Sequence, residues 1–332
     1  MNKRIAVIGG GAFGTAISTV LVESGCSINL WCYEESVVSE IQDAKRNVTY
    51  LPDIPLSEKI HPTSSLKEAL EGVDWVFVTI PVKFLRSVLE LAKDHLTKNE
   101  KWVLLSKGIE QGTLMLPSQI LDDVLDYKTV KFALSGPNFA RELAEKFYSG
   151  ASLAYEDEVL AKELQSILSN KFFKPYLTSD LIGVQVCGAL KNIFALITGI
   201  AIGAGFKDNT KAFLLTIGFS EMGKLVEHLG GNHITINGFS GFGDLVLTCT
   251  GSLGRNLKAG IMFGEGLSLD EIEETGITAE GVNTIKSLQE LISKDNLDLP
   301  LCSGIYQIIF MGKNLRTILN ELMLKPSGHE FN

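Results

Sequence analysis

The sequence predicts an α/β fold in its first half, a doubly wound sheet with helices on both faces, followed by an all-helical second half. Three observations predict this division. Short continuous apolar runs alternate with helical patterns along the first half. The alternation fades after Tyr176, and from Ser179 onward apolar residues recur at helical spacing. We therefore expect two domains, residues 1–179 and residues 180–332.

Six strands and five helices are predicted in the first half. The strands are predicted at 4–9, 27–32, 75–80, 102–106, 130–135 and 151–154. Helices are predicted between them at 13–24, 35–43, 82–95, 117–125 and 139–147. The strands are nearly continuous runs of valine, isoleucine and leucine, which is typical of a parallel sheet that is buried on both faces.

The second half begins with a long apolar helix. Apolar residues follow helical spacing from Leu181 onward, and Ser179 and Asp180 are both suited to cap its start. Lys191 interrupts the apolar stretch, and the uncharged part that follows it, 192–206, has 15 residues. Because a helix that spans a bilayer needs about 20 apolar residues, we expect a buried core helix and no membrane insertion.

The composition narrows the class of protein. A net charge of −9, with 45% hydrophobic and 21% charged residues, is typical of a globular protein and argues against a nucleic-acid partner. The five cysteines are an odd number without a CxxC pair, which favours reduced thiols and a cytoplasmic location. The five histidines are scattered, without the spacing of metal ligands, and we expect no metal site.

A glycine motif follows the first predicted strand. Gly9, Gly11 and Gly14 match the pattern GxGxxG, with Ala12 and Phe13 between the last two. In a strand–turn–helix unit these glycines permit a tight turn, close approach of a pyrophosphate and close helix packing. The motif predicts a Rossmann-like domain that binds NAD or NADP. The alternative is a glycine turn with a purely structural role.

The choice between NAD and NADP stays open at the sequence level. Glu34 follows Gly14 by 20 residues, near the position where an acid binds a ribose 2′-hydroxyl and favours NAD. It is equally interpretable as a solvated residue that starts the next helix. Lys45 and Arg46, in the loop after that helix, are candidates to reach a 2′-phosphate.

Lys191 is the main candidate for acid–base chemistry. Its helical neighbours include Cys187 and Phe194, and burial of an ammonium among such residues is costly unless it is paired or its pKa falls. A lysine with a lowered pKa can act as a general acid or base. The alternative is a lysine whose stem is buried and whose amine reaches solvent. The adjacent Asn192 is a second polar residue on this helix.

Further polar residues occur where a ligand is expected. Lys107 follows a predicted strand, at the sheet edge where ligands bind in such folds. Asp244 lies in an apolar, glycine-rich stretch and needs a partner such as a lysine. Arg255 and Asn256 follow a turn of small residues, which suits a phosphate. The alternatives are a solvated lysine, a helix N-cap and a surface arginine.

Taken together, these segments resemble the bacterial NAD(P)-dependent glycerol-3-phosphate dehydrogenases along essentially the whole chain. The matching stretches are 9–16, 46–47 with 50–52, 106–110, 136–140, 189–194, 243–255 and 280–281. The resemblance implies interconversion of glycerol 3-phosphate and dihydroxyacetone phosphate, which supplies phospholipid biosynthesis.

The resemblance also implies roles for individual residues. Lys191 is the implied catalytic proton donor and acceptor. The implied substrate contacts are Lys107, Gly136, Asn138, Lys191, Asp244, Gly254, Arg255 and Asn256. The implied cofactor contacts are Gly9, Gly11, Ala12, Phe13, Gly14, Tyr33, Lys107, Ala140, Arg255, Thr278 and Glu280. In this scheme Lys191 donates a proton to the ketone oxygen during hydride transfer, and Arg255 and Asn256 hold the phosphate.

Three positions depart from the family's usual pattern. Asn138 stands where the family usually has serine or threonine, and Gly254 stands where it usually has serine. Tyr33 replaces the basic residue that many members carry after the second strand, which weakens the expectation of an NADP preference.

Two other interpretations remain at this point. The first is a dehydrogenase of the β-hydroxyacid or ketopantoate type, which would act on carboxylates with the same domain plan. The second is a non-catalytic sensor of dinucleotides, which would not need a buried amine. The resemblance implies a small phosphorylated substrate as the partner. The apolar helices of the second half are compatible with a homodimer.

Overall fold

The computed structural model describes residues 3–251 and 254–325, and its first half is built on one eight-stranded sheet. The strands are β1 (Arg4–Ile8), β2 (Ser27–Trp31), β3 (Ile60–Thr63), β4 (Trp75–Val78), β5 (Lys101–Leu104), β6 (Val130–Ser135), β7 (Ser149–Tyr155) and β8 (Phe173–Thr178). Their order is β3-β2-β1-β4-β5-β6-β7-β8, and all neighbours are parallel except β6 and β7. The order of the first six strands is that of the doubly wound fold, which confirms the predicted fold class.

Both faces of the sheet are buried, which explains why the strands are apolar without alternation. On β1, Ile5 and Val7 pack into the hydrophobic cluster on one face, and Ala6 and Ile8 pack into the cluster on the other. All four are at most 3% exposed. Because burial of apolar surface contributes about 25 cal/mol per Å², an apolar residue is favoured at every position of such a strand.

Fifteen α-helices lie within the described residues. They are α1 (Ala12–Glu23), α2 (Glu35–Ala44), α3 (Leu66–Leu70), α4 (Val82–Ala92), α5 (Pro117–Leu125), α6 (Ala140–Ala144), α7 (Glu158–Leu168), α8 (Leu181–Gly203), α9 (Asp208–His228), α10 (Asp244–Thr250), α11 (Arg255–Glu265), α12 (Leu269–Glu274), α13 (Glu280–Asp295), α14 (Pro300–Met311) and α15 (Leu315–Leu324). From α8 onward the described chain contains no strand, as predicted.

The sequence prediction missed both edge strands. Pro62 lies in β3 and Pro175 in β8. Proline lacks an N–H group for the ladder and therefore occurs in edge strands, so these segments do not follow the continuous apolar pattern on which the prediction relied. The short helix α3 and the longer α7 were also not predicted.

The sheet is mostly parallel, as predicted, and departs from this at β7, which runs antiparallel to β6. A parallel crossover needs a dozen or more residues, usually with a helix that spans the sheet. The connection 136–148 contains only the five-residue helix α6, where the sequence predicted nine helical residues. A helix this short does not carry the chain back across the sheet.

Helix α8 is the central helix of the second half. By length and composition it is the one helix in the described chain that could cross a membrane, but 89% of its apolar window is buried inside the fold. Asp180 caps its first turn by accepting a hydrogen bond from the N–H group of Gly183 at 2.8 Å. The burial is that of a core helix surrounded by other helices.

Four glycines allow α8 and α11 to pack at very short distance. Gly199 and Gly203 on α8 face Gly260 and Gly264 on α11. A Cβ at any of the four would overlap a backbone carbonyl oxygen on the facing helix. The spacing of four residues places each pair on one helix face, and the resulting contact fixes α11 along α8.

The two halves meet at the junction of β8 and α8. Strand β8 ends at Thr178 and α8 begins at Leu181, so the predicted boundary at 179/180 falls between them. Leu181 and Val184 on α8 form a buried cluster with Ala133 on β6 and Ala154 on β7. The first turns of α8 therefore pack directly against the sheet.

Candidate active site

The loop between β1 and α1 has the shape that a pyrophosphate requires. Gly9 has a φ of +122°, which residues with a side chain rarely adopt. A Cβ at Gly14 would overlap the carbonyl oxygen of Gly9, so the third glycine is needed for α1 to pack here. A Cβ at Gly11 would meet no atom within 4 Å. This open space beside the first N–H groups of α1, those of Ala12 and Phe13, fits an anionic group.

Asn47 holds the glycine loop from behind. It is fully buried, and its Nδ2 donates hydrogen bonds to the carbonyl oxygen of Gly10 at 2.7 Å and to Oγ1 of Thr15 at 2.8 Å. Its Oδ1 accepts a hydrogen bond from the N–H group of Tyr50 at 3.0 Å. No role was predicted for Asn47, because its sequence context does not distinguish it from an ordinary loop asparagine.

Strand β2 ends beside this loop. A Cβ at Gly10 would overlap the Sγ atom of Cys32, the residue after β2. Tyr33, an expected cofactor contact, is 80% exposed. Glu34 is the N-cap residue of α2, and at the surface it accepts a hydrogen bond from the Tyr50 hydroxyl at 2.8 Å.

Three charged side chains meet between the two halves. Lys191 on α8 forms an ion pair with Oδ1 of Asp244, the first residue of α10. Lys107, which follows β5, donates to Oδ2 of the same carboxylate at 2.8 Å. Asp244 is fully buried and Lys191 is 8% exposed. The lysine does not extend into solvent, because its amine ends on a buried carboxylate.

A π-helical segment, Phe239–Gly243, brings Asp244 to this position. The N–H group of Gly243 donates to the carbonyl oxygen of Gly238 at 3.2 Å, five residues earlier. The N–H group of Ser240 donates to Oγ of Ser152 on β7 at 3.2 Å, which ties the segment to the sheet. Segments of this type are rare and frequently occur at functional sites.

Two hydroxyl groups also contact Asp244. Oγ1 of Thr248 donates to the Asp244 carbonyl oxygen at 2.6 Å and lies 3.3 Å from its Oδ1. Oγ of Ser135, at the end of β6, lies 3.5 Å from Oδ2. Sequence reasoning missed both residues. The spacing of Thr248, four residues after Asp244 on the same helix, is a signal that could have found it.

The surroundings lower the basicity of the Lys191 amine. Its pKa falls from the usual lysine value to about 8, chiefly because burial disfavours the charged form. The carboxylate of Asp244 acts in the opposite direction, and the positive charge of Lys107 adds to the lowering. Near neutral pH the amine is therefore close to the point where it can both give and accept a proton.

The cysteines near this cluster are not candidate nucleophiles. Burial raises the pKa of the Cys187 and Cys249 thiols to about 12. A thiol with such a pKa is protonated at neutral pH, and the thiolate is the reactive form.

The N-termini of α11 and α13 converge beside α8. Arg255, the first residue of α11, is 64% exposed at its side chain, and its Nη2 lies 3.9 Å from Oε1 of Glu280. Oδ1 of Asn256 accepts a hydrogen bond from the N–H group of Gly281 at 2.9 Å. A Cβ at Gly281 would lie 2.7 Å from the carbonyl oxygen of Asn192, next to Lys191. Two positive helix ends and a guanidinium thus lie near the lysine cluster.

Family profiles match both halves of the chain. The N-terminal profile of NAD-dependent glycerol-3-phosphate dehydrogenase matches residues 4–161, and the C-terminal profile matches residues 180–320. The chain belongs to the NAD-dependent glycerol-3-phosphate dehydrogenase family. The family expected from the sequence motifs is thereby confirmed, as are the predicted oxidoreductase class and the NAD or NADP cofactor.

Individual members of the family are similar over their full length. The glycerol-3-phosphate dehydrogenase (NAD(P)+) of Citrifermentans bemidjiense is 39% identical over 334 residues, covering 99% of this chain and 100% of that protein. The Bacillus subtilis protein of the same name is 36% identical, covering 99% and 96%. A crystal structure of glycerol-3-phosphate dehydrogenase from Coxiella burnetii is 32% identical with a TM-score of 0.93, covering 98% of this chain and 99% of that one.

Two of the three departing positions, Asn138 and Gly254, lie after β6 and at the start of α11. Asn138 follows β6, and its Oδ1 is buried without a hydrogen-bond partner among the described residues. Gly254 precedes α11 and provides no side-chain cap, where a serine hydroxyl could supply one. Gly136 is confined by β7, since a Cβ there would lie 2.7 Å from Cα of Ala151.

The remaining predicted contacts lie at helix starts and in a loop. Ala140 is the first residue of α6, and Thr278 is exposed in the loop before α13. Within the described residues, no group of three or more histidine, cysteine or acidic side chains is arranged to hold a metal ion.

Proposed function

We propose that this chain interconverts sn-glycerol 3-phosphate and dihydroxyacetone phosphate with NAD(H) or NADP(H). The observation that carries this function is the buried ion cluster of Lys191, Asp244 and Lys107, which lies between a dinucleotide-type loop domain and the converging helix ends at Arg255. Family membership supports the same reaction.

Lys191 acts as the proton donor and acceptor. The bound nicotinamide supplies or removes the hydride. During ketone reduction the Lys191 ammonium stabilises the charge that develops on the carbonyl oxygen and delivers a proton to it. In the reverse direction the free amine takes the proton from the alcohol. A positioned acid or base of this kind contributes about 10²–10⁴-fold to the rate.

Asp244 and Lys107 control the orientation and the pKa of the Lys191 amine. Asp244 fixes the direction of the Lys191 side chain through the shared ion pair and opposes the lowering of its pKa. Lys107 binds the other carboxylate oxygen and keeps a second positive charge near the substrate oxygen. The Asp244 carboxylate holds the amines of Lys191 and Lys107 close together, and its negative charge offsets part of their combined positive charge.

The phosphate of the substrate binds at the start of α11. Arg255 provides the guanidinium, which suits a phosphate because of its planar set of donors. Asn256 accepts a hydrogen bond from Gly281 at its Oδ1, which leaves its Nδ2 as the donor for a phosphate. The proposed substrate contacts are Lys107, Gly136, Asn138, Lys191, Asp244, Gly254, Arg255 and Asn256.

The dinucleotide binds along the glycine loop and the cleft. The proposed contacts are Gly9, Gly11, Ala12, Phe13, Gly14, Tyr33, Lys107, Ala140, Arg255, Thr278 and Glu280. The domain division at 179/180, a cytoplasmic location and a homodimer belong to the same proposal. The five cysteines are unpaired and buried, which supports a reducing compartment.

Turnover of dihydroxyacetone phosphate tests this function directly. Purified protein is assayed spectrophotometrically for oxidation of NADH and NADPH with dihydroxyacetone phosphate, and beside it with 2-keto and 3-keto acids. We expect turnover with the phosphorylated ketone alone. Preferred turnover of a keto acid would favour the carboxylate-specific dehydrogenases, and dinucleotide binding without any turnover would favour a sensor.

Lys191→Met tests the proposed acid–base role. We expect turnover to fall by about 10²-fold or more, with dinucleotide affinity retained. The exposed Lys294 on α13 provides a control, and Lys294→Met should leave turnover unchanged. Near-normal turnover of Lys191→Met would remove this residue from the mechanism.

A further inference from the structure

The end of β2 carries an acidic side chain at the position that meets the adenosine ribose in this fold. Glu34 follows β2 by three residues, and Cys32 between them touches the glycine loop at Gly10. An acid in this region, about 20 residues beyond the glycine motif, accepts a hydrogen bond from a ribose 2′-hydroxyl. The sequence left open whether Glu34 is such an acid or a solvated helix start.

A tyrosine holds this acid in place. The hydroxyl of Tyr50 donates to Oε1 of Glu34 at 2.8 Å, and this bond raises the pKa of the Tyr50 phenol. Tyr50 is itself anchored, since its N–H group donates to Oδ1 of the buried Asn47, which also binds the carbonyl oxygen of Gly10. The carboxylate is thus connected through Tyr50 and Asn47 to the loop that receives the pyrophosphate.

No cation neutralises this carboxylate in the part of the chain that the structure describes. Lys45 is the C-cap of α2, at the opposite end of that ten-residue helix from Glu34. At a rise of about 1.5 Å per residue, the two ends are roughly 15 Å apart. Arg46 is exposed and forms no ion pair with Glu34 in the described residues. A 2′-phosphate would therefore meet an unpaired negative charge.

We propose, building on the proposed function, that Glu34, held by Tyr50, selects NAD(H) over NADP(H) in this protein. Its second oxygen accepts a hydrogen bond from the 2′-hydroxyl of the adenosine ribose, and its negative charge repels the 2′-phosphate of NADP(H). The specificity has an attractive part for one ligand and a repulsive part for the other. Tyr33, the exposed residue before Glu34, is neutral and adds no positive charge beside this carboxylate.

Direct binding measurements test this selection without reliance on turnover. Dissociation constants for NADH and NADPH are measured by calorimetry on the wild-type protein, Glu34→Gln, Tyr50→Phe and Glu35→Gln. Glu35 is the matched control, since it is the adjacent exposed acid and its loss changes the net charge equally. We expect wild type to bind NADH at least about tenfold more tightly than NADPH. Glu34→Gln should lose most of that ratio, mainly through tighter NADPH binding, and Tyr50→Phe should lose part of it.

Several results would overturn the assignment. Wild-type protein that binds NADPH as tightly as NADH would show that another residue, such as Arg46, receives the phosphate. An unchanged ratio in Glu34→Gln, or an equal change in Glu35→Gln, would show that the carboxylate at 34 does not discriminate. A protein that selects NADH but does not reduce dihydroxyacetone phosphate would retain this inference and refute the proposed function instead.

Discussion

At the scale of single residues, Lys191 is a charged residue in an apolar helix, and the structure gives it an ion-pair partner and a lowered pKa. The sequence places this lysine among apolar helical neighbours, and the structure gives it a carboxylate 53 residues further along the chain. Lys107 then approaches the same carboxylate from the sheet. The pKa of about 8 results from burial opposed by the Asp244 charge, so it depends on groups from both halves.

Asp244→Asn tests this balance through the pH profile. In the proposed mechanism ketone reduction needs the Lys191 ammonium, so kcat/KM in that direction should fall as the pH rises above about 8. The Asp244 charge raises the pKa of Lys191, so its removal should move this fall to lower pH and also reduce the maximal rate. The exposed Asp270 supplies a charge-matched control, and Asp270→Asn should leave the profile in place. A shift of the Asp244→Asn profile to higher pH would contradict the assigned role.

At the scale of elements, the glycine loop and the contact between α8 and α11 depend on the absence of side chains. The GxGxxG motif predicted the first of these correctly, because its pattern and its position after a strand are both visible in the sequence. The spacing of Gly199, Gly203, Gly260 and Gly264 is equally visible, but it does not state which helices pair. That partner choice is a property of the folded chain.

Two alanine substitutions separate folding from binding in the glycine loop. Gly14→Ala would overlap the Gly9 carbonyl oxygen, so we expect a lower melting temperature and weaker dinucleotide binding. Gly11→Ala meets no atom within 4 Å and has an ordinary backbone φ of −72°, so the melting temperature should stay close to wild type. Its Cβ would occupy the space proposed for the pyrophosphate, so the Kd for NADH should still rise. Calorimetric binding and thermal melts of both variants check this, and unimpaired binding by Gly11→Ala would place the pyrophosphate elsewhere.

At the scale of the whole molecule, the two halves are joined by apolar packing and by the ion cluster. The sheet contributes Lys107 and the helical half contributes Lys191 and Asp244, while Leu181 at the start of α8 packs against the sheet. If one half unfolded alone, the ion pairs of the buried Asp244 carboxylate with the two lysines would break, and a buried charge without its partner is strongly destabilising. We therefore expect the halves to unfold together.

Leu181→Ala tests the coupling of the halves. Deletion of this mostly buried side chain should destabilise the protein by about 2 kcal/mol, at the low end for leucine-to-alanine changes. Calorimetry should show one transition in wild type and in the variant, at a lower temperature in the latter. Ile202→Ala, at an exposed position on the same helix, should change the melting temperature little. Two separate transitions in wild-type protein would contradict the coupling.

The sequence alone determined the fold class, the family and the identity of the charged residues at the cleft. It could do so because continuous apolar strands, the glycine motif and a lysine in an apolar helix are local patterns with few physical solutions. The edge strands β3 and β8 were not predicted, because edge positions tolerate proline and polar residues and so lack the continuous apolar pattern. The antiparallel direction of β7 was not predicted, because it depends on the short length of helix α6.

Only the tertiary structure decided which charges share a partner. The sequence does not pair Asp244 or Glu34 with any partner. The fold places Asp244 against two lysines, and it gives Glu34, the N-cap residue of α2, a hydrogen bond from the Tyr50 hydroxyl at the surface. Contacts between residues distant along the chain leave no periodic trace in a single sequence, because each partner on its own is compatible with several surroundings. The surroundings set the pKa of Lys191 and therefore its suitability as an acid or base.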